Sequence, residues 1–334
     1  MKALKITGKL AMGIVDESIP EPQGDQVRIK VAYIGVCGSD LHYYYEGANG
    51  AFVVREPLIP GHELSGTIDF DPRGEYKSGE KITLHPARFG NSLSSIEDRP
   101  HLWPQGSYLG SASTNPHTQG AMVEYMVVER SMLRRLPENL SLEAAALCEP
   151  LAVGIHAINI AGGVAGKRVL VSGAGPIGLL AAAAAKLLGA AHVTASDVLD
   201  GPLSRAVAVG VDATSKVSEL ALPNEEFDIV LECSGVPRAI SAAIAAVARA
   251  GVVVQVGMLG AGDQPIALAP LISKEVQLRG TFRFNTEIDD AITMLAEHPD
   301  LDKVITHTFA LQDAIAGFEM AKNSELSGKV LIRI

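Results

Sequence analysis

The sequence predicts an α/β chain in which a parallel, doubly wound sheet is set as one block into a β-rich domain. Three observations support this. From Met1 to about Glu129 the chain reads as short strands broken by Gly and Pro. Beyond Leu142 it alternates strand with helix, the pattern of a parallel sheet covered on both faces. After about Asn285 that rhythm stops, so the tail is expected to return to the first domain.

The elements follow in order. Val27–Ile34 alternates polar with apolar residues, and Ala121–Val128 is a second extended run. The Ala-rich stretch from Leu142 to Gly163 reads as helical. Strands are expected at Arg168–Ser172, His192–Ser196, Phe227–Glu232, Val252–Gly257 and Val276–Thr281, with helices at Gly178–Leu188, Leu203–Val209 and Arg238–Arg249. Two helices, near Asp289–Glu297 and Leu311–Lys322, and a closing strand at Lys329–Ile334 make up the tail. The expected limits are residues 1–144 for the first part of the β-rich domain, 145–284 for the doubly wound domain, and 285–334 for the return.

Composition narrows the class. A chain of 334 residues is long for one core and fits two domains. It has 47% hydrophobic and 20% charged residues, which fits a folded globular protein. A formal charge of −10 without a Lys/Arg block argues against nucleic acid as a partner. The apolar run around Leu179–Ala191 is shorter than the roughly 20 residues that cross a bilayer. The first 15 residues lack the unbroken apolar core of a signal peptide, so no membrane partner and a cytoplasmic location are expected. Cys37, Cys148 and Cys233 are too few and too scattered for a disulfide framework.

Gly173-Ala174-Gly175-Pro176-Ile177-Gly178 completes a G-x-G-x-x-G between an apolar strand and an Ala-rich helix. Its glycines serve a tight turn, close approach of backbone to a pyrophosphate, and close packing of helix on strand. The helix N-terminus then offers free N–H groups to the phosphates. Asp197 lies 19 residues beyond Gly178, at the end of the second strand, where a carboxylate can accept from ribose hydroxyls. A dinucleotide site follows, with NAD preferred to NADP because a 2′-phosphate would meet that carboxylate and no arginine stands from Val198 to Leu203.

Cys37-Gly38-Ser39-Asp40-Leu41-His42 ends an alternating strand, Gly61-His62-Glu63 follows about twenty residues later, and Glu149-Pro150 stands where the two domains join. Thiolate, imidazole and carboxylate are the donors of an open zinc site. Together with PGHELSG, EPLAVGIHA, SGAGPIG, QVGM and RGTFRF in this order over nearly the whole chain, the motifs resemble the zinc-containing medium-chain dehydrogenases, in their polyol and aldonate branch. The resemblance implies a GroES-like catalytic domain plus a Rossmann domain, with the active site in the cleft between them.

Carried over residue by residue, Cys37 and His62 match zinc ligands. Glu63 matches a carboxylate that ligates directly in some polyol dehydrogenases and lies just behind the metal in other members, and Glu149 a third ligand or a group reached through water, with exchange of the two glutamates at the metal left open. Asp40 resembles the group that orients the histidine by accepting its second N–H. Ser39 and His42 match a proton relay to solvent; a histidine titrates near the working pH range. Val256 and Gly257 match one side of the nicotinamide pocket, and Phe282 and Arg283 the other. The planar fork of Arg283 suits a carboxylate or a vicinal diol. A bound zinc acts as a Lewis acid, easing loss of the alcohol proton before hydride leaves for the nicotinamide.

One departure stands out. Most zinc members carry four close cysteines for a second, structural zinc, whereas His85–Tyr108 has none, so one catalytic zinc per chain and no structural zinc is expected. His85, His101 and His117 are read as surface or loop residues, and Cys148 and Cys233 as packed side chains. The activity expected is oxidation of a secondary alcohol on a polyol or sugar acid, of the L-idonate 5-dehydrogenase kind first and sorbitol or xylitol oxidation second. The alternatives are a zinc-free quinone or enone reductase of the same superfamily and a cofactor-binding regulator. Similar proteins form dimers or tetramers, so a homo-oligomer is expected.

Overall fold

The computed structural model describes residues 1–260 and 262–334. By contacts the chain divides into two compact units: Met1–Glu149 with Ala291–Asn323 and Lys329–Ile334, and Pro150–Asp290 with Ser324–Gly328.

In the first unit a seven-stranded sheet is organised around strand Gln26–Gly35. Strand Glu63–Phe70 runs antiparallel along one side of it. On the other side Tyr125–Glu129 pairs with its first half and Lys329–Arg333 with its end. Alternation of Val27, Ile29 and Val31 with polar residues puts these side chains into a core with Leu64, Ile68, Ile82 and Leu84. The register pairs Gly35 with Glu63, so Cys37, just past the end of one strand, and His62, just before the start of the next, emerge at the same end of the sheet. A helix, Gly38–Glu46, follows Cys37 at once. The sequence shows only the end of a strand there, because Gly-Ser-Asp and three successive tyrosines carry no clear 3.6-residue apolar stripe.

In the second unit six parallel strands lie in the order Ala213–Lys216, His192–Asp197, Arg168–Ser172, Phe227–Glu232, Val247–Gln255, Gln277–Gly280. In chain order this is 3-2-1-4-5-6, the doubly wound arrangement the sequence predicts. Helix Pro176–Leu187 buries every residue from Gly178 to Ala185, as suits a helix that is apolar all round. Its alanines also permit close approach, since a Cβ on Gly154 would lie 3.0 Å from Ala181 Cα. Several boundaries differ from expectation: the strand expected from Ala121 begins at Tyr125, the helix expected from Leu203 begins at Asp200, and the helical stretch from Leu142 is two helices, Leu142–Ala145 and Cys148–Ala161. The helix expected to reach Arg249 stops at Ala246, and the β-branched run of Val247 and Val252–Val254 extends as strand. The edge strand Ala213–Lys216 is absent from the expected elements; its half-exposed ATSK has no apolar alternation.

Within this unit a buried carboxylate ties helix Cys148–Ala161 to the segment after the last strand. Glu287 accepts from His156 Nδ1 at 2.8 Å, Asn159 Nδ2 at 3.0 Å and the backbone of Asn285 at 2.7 Å. Burial alone would raise its carboxyl, but the hydrogen bonds from His156 and Asn159 outweigh burial and hold it down at about 2. A carboxyl depressed on folding stabilises the native state fully above its unfolded value, near 4.5, and loses that contribution as the pH falls through about 2. Glu287→Gln should therefore cost about 1.5–3 kcal/mol in urea unfolding at pH 7. The gap to wild type should narrow at pH 3; the same gap at both pH values would contradict the assignment.

Candidate metal centre and dinucleotide loop

Among the described residues, one group of three or more His, Cys, Asp or Glu side chains brings its ligand atoms together: those of Cys37, His62 and Glu63 lie within 4.8 Å of one another. The strand register explains why residues so far apart in sequence meet. Gly35 completes the arrangement, because a Cβ there would overlap Glu63 Oε2. Cys37 is the N-cap of helix Gly38–Glu46, so its sulfur stands at the positive end of the helix dipole.

Two carboxylates flank the cluster and differ in what they bind. Glu63, wholly buried, accepts from Lys329 Nζ on both oxygens, at 2.7 and 2.6 Å, and Lys329 also donates to Val36 O at 3.3 Å. Burial alone would lower the Lys329 ammonium; the charge of Glu63 beside it, with Cys37 and Glu149 nearby, raises it instead. Glu149 stays outside the tight group. Its Oε1 accepts from the Tyr108 hydroxyl at 2.5 Å, and the Tyr108 ring stands edge-on to His62 with centroids 5.3 Å apart.

Burial alone would lower His62, yet Cys37, Glu149 and Asp40 around it raise it to about 10. The surroundings therefore favour a positive charge at this point. Its Nδ1 is buried and has no hydrogen-bond partner. This corrects the role expected for Asp40. Instead of accepting from the ring, its oxygens accept the backbone N–H groups of Cys37 at 2.9 Å and Gly61 at 3.0 Å. Asp40 thus holds the main chain on both sides of the cluster rather than the imidazole. On the same helix Ser39 is half-buried, while His42 is exposed and meets Glu46 one turn on, at 3.0 Å.

In the second unit the glycine loop has a separate reason for each glycine. Gly173 has φ +90°, and a Cβ there would lie 2.9 Å from Ser234 N. A Cβ on Gly178 would overlap the carbonyl of Gly173, whereas Gly175 faces open space. Gly175 is the N-cap and Pro176 the first residue of helix Pro176–Leu187, with Ile177 and Gly178 in its first turn. Asp197 spans the loop: Oδ2 accepts from Ala174 N at 2.8 Å, and Oδ1 from Val198 and Leu199.

An arginine beyond the stretch weighed in sequence, Arg205, acts electrostatically on Asp197 from helix Asp200–Ala208. Its guanidinium donates to the carbonyls of Ser324 and Glu325. Val256 and Gly257 both donate their N–H to the Glu232 carbonyl at 2.8 Å. Arg283, at φ +54°, stacks its guanidinium 4.6 Å from the centroid of the exposed Phe282 ring.

The cysteine-free lobe is held by ordinary hydrogen bonds. Trp103 Nε1 donates to Ile96 O at 3.0 Å, and Asn91 to Gln105 at 2.7 Å. His85 and His117 lie in loops, as expected, and both are buried. His117 Nε2 accepts from Arg55 N, and His85 Nδ1 from Ala87 N. Cys148 and Cys233 are thiols pushed up by burial.

Sequence reasoning missed Lys329, Tyr108 and Gly35. A lysine placed before the apolar run Val330–Ile332 was the one visible signal for the first, and the other two carried none.

Comparison with known proteins gives the family. Residues 23–138 match the family model for the alcohol dehydrogenase GroES-like domain, and residues 176–297 that for zinc-binding dehydrogenases. The chain is 34% identical to the L-idonate 5-dehydrogenase (NAD(P)(+)) of Escherichia coli over 87% of its own length and 86% of the relative's. It is also 34% identical to the sorbitol dehydrogenase of Bos taurus, over 99% and 95%. The crystal structure of L-idonate 5-dehydrogenase from Escherichia coli superposes with a TM-score of 0.92 at 30% identity, covering 100% of this chain and 98% of that one. With its ligand-type cluster, its glycine loop and these relatives, the chain belongs to the zinc-type medium-chain dehydrogenases and is an oxidoreductase.

Proposed function

We propose that the protein oxidises a secondary alcohol of a polyol or sugar acid with NAD as hydride acceptor, an L-idonate 5-dehydrogenase-like activity first and sorbitol or xylitol oxidation second. The observation that supports this most is the cluster of half-buried Cys37 with buried His62 and Glu63. It also disfavours a zinc-free quinone or enone reductase and a cofactor-binding regulator, neither of which needs such a cluster.

The donors fit one zinc. A soft thiolate, an imidazole and a carboxylate are a catalytic set, the buried Nδ1 of His62 lacks a partner, and the surroundings favour positive charge. Cys37 and His62 would hold the ion, with Glu63 or Glu149 completing the set. Glu63 stands nearer but has both oxygens on Lys329, whereas Glu149 gives Oε1 to Tyr108. Bound there, zinc supplies the Lewis acidity that lets an alcohol lose its proton near neutral pH. Asp40 keeps the two ligand-bearing backbones in register. Ser39 and His42 pass the released proton on; the exposure of His42 gives it direct exchange with water.

Gly173, Gly175 and Gly178, with Pro176 and Ile177, receive the pyrophosphate at the helix N-terminus. Asp197 keeps lone pairs for ribose hydroxyls. Val256, Gly257 and Phe282 bound the nicotinamide, and Arg283 reads a substrate carboxylate or diol. Leu278 is exposed on the edge strand Gln277–Gly280, which supports a homo-oligomer, dimer or tetramer. No described helix is long and apolar enough to cross a membrane, and a cytoplasmic location is our reading. Sugar acids and polyols assayed side by side for NADH absorbance test the activity directly.

Elemental analysis of zinc-loaded protein should give about one zinc per chain rather than about two. Cys37→Ala should lose metal and activity together while circular dichroism stays native; two tightly held zincs, or activity without metal, would refute the site. The ratio of kcat/KM for NAD over NADP should exceed one and fall in Asp197→Ala, and a wild-type preference for NADP would overturn that role. Arg283→Ala should cost sugar acids about 1.5–3 kcal/mol in kcat/KM and neutral polyols less. Equal losses would remove the case for carboxylate recognition.

A further inference from the structure

Glu232 ends strand Phe227–Glu232, is fully buried, and gathers four donors that carry no charge. Oε1 accepts from Ser234 N at 3.0 Å and from the Ser234 hydroxyl. Oε2 accepts from Gly235 N at 3.0 Å and from Gln255 Nε2 at 2.6 Å. The amide of Gln255 donates also to Gly257 O at 2.8 Å. Burying a carboxylate costs free energy that these bonds must offset. An acceptor-only group is what this turn requires, because a glutamine in its place would turn an N–H against donors.

The turn so fixed, 233–236, has a backbone wall on each side. A Cβ on Gly173 would lie 2.9 Å from Ser234 N, and a Cβ on Gly257 would overlap Gly235 N. Gly235 itself, at φ +66°, lies against Met258 O. Gly173 belongs to the phosphate loop and Gly257 to the nicotinamide side. Strands Arg168–Ser172 and Phe227–Glu232 are neighbours in the sheet but not in sequence. Their carboxyl ends therefore form the switch point at which a doubly wound sheet binds its ligand.

We propose that Glu232 is a cofactor-positioning residue: its four hydrogen bonds rigidify the 233–236 turn, against which the phosphate loop at Gly173 and the nicotinamide wall at Gly257 are both set. This rests on the reading of the glycine loop as an NAD(P) site. The adenosine end has anchors of its own: Asp197 accepts from Val198 and Leu199, and it reaches the phosphate loop only at Ala174, none of which bonds Glu232.

The test titrates zinc-loaded wild type and Glu232→Gln with NADH, ADP-ribose and adenosine, which has no phosphate for the loop to hold. In the variant the Kd for NADH and ADP-ribose should rise about tenfold, the size of one lost charge-assisted hydrogen bond. The Kd for adenosine should stay unchanged. Equal weakening of adenosine and NADH would reduce Glu232 to general support of the fold and overturn the proposal, as would an unchanged Kd for NADH. A wild type that binds neither NADH nor NADPH overturns the cofactor reading and the clamp with it, whereas tight binding by wild type without a selective loss in the variant overturns the clamp alone. Should Glu232→Gln fail to fold, Ser234→Ala removes the hydroxyl contact to Glu232 without adding a donor, its backbone N–H being kept, and the same selective pattern decides.

Discussion

The ion pair between Glu63 and Lys329 is the interaction on which the first unit depends. It joins two residues 266 apart in sequence, in a place from which water is excluded. Removing one partner of such a pair typically costs about 3–5 kcal/mol, because the other charge stays buried without compensation. The last strand of the chain is therefore bound to the strand after His62 by charge as well as by the ladder with Gln26–Gly35. The excess of acidic groups around His62 is bearable partly because one cation is already built into the wall.

The register that pairs Gly35 with Glu63 gathers that excess at one end of the sheet. The carboxylates of Asp40, Glu63 and Glu149 would repel one another, and burial sharpens the repulsion. The fold meets this with directed partners: backbone N–H groups for Asp40, a hydroxyl for Glu149, an ammonium for Glu63. His62 Nδ1 is the polar atom within the cluster that the protein itself leaves without a hydrogen-bond partner. The second unit uses the same device at Asp197, Glu232 and Glu287, where carboxylates at chain turns collect neighbouring donors.

Much of this was legible in the residues, and the rest was not for physical reasons. Alternation at Val27–Ile34 and the strand-to-helix rhythm from Arg168 to Thr281 report burial directly, so the doubly wound sheet could be read. Cys37, His62 and Glu63 could be picked out by donor chemistry, and their convergence follows from a register that pairs Gly35 with Glu63. What escaped depends on contacts distant in sequence. Lys329 reads as any strand lysine, and Tyr108 as any loop tyrosine. Spacing says nothing about which donor a carboxylate selects, so Asp40 could not be separated from a partner of the imidazole; at the start of a helix the backbone N–H of the N-cap is nearer.

The lobe without cysteines contains the only tryptophan of the chain, and its indole N–H is tied to Ile96 within the same lobe. Native fluorescence excited at the red edge of the indole band therefore samples this lobe alone. Its emission maximum, lifetime and quenching by iodide describe a loop cluster rather than a sheet. An optical transition that precedes the loss of circular dichroism would resolve the loosening of the lobe as a separate event from collapse of the two units, with no label attached.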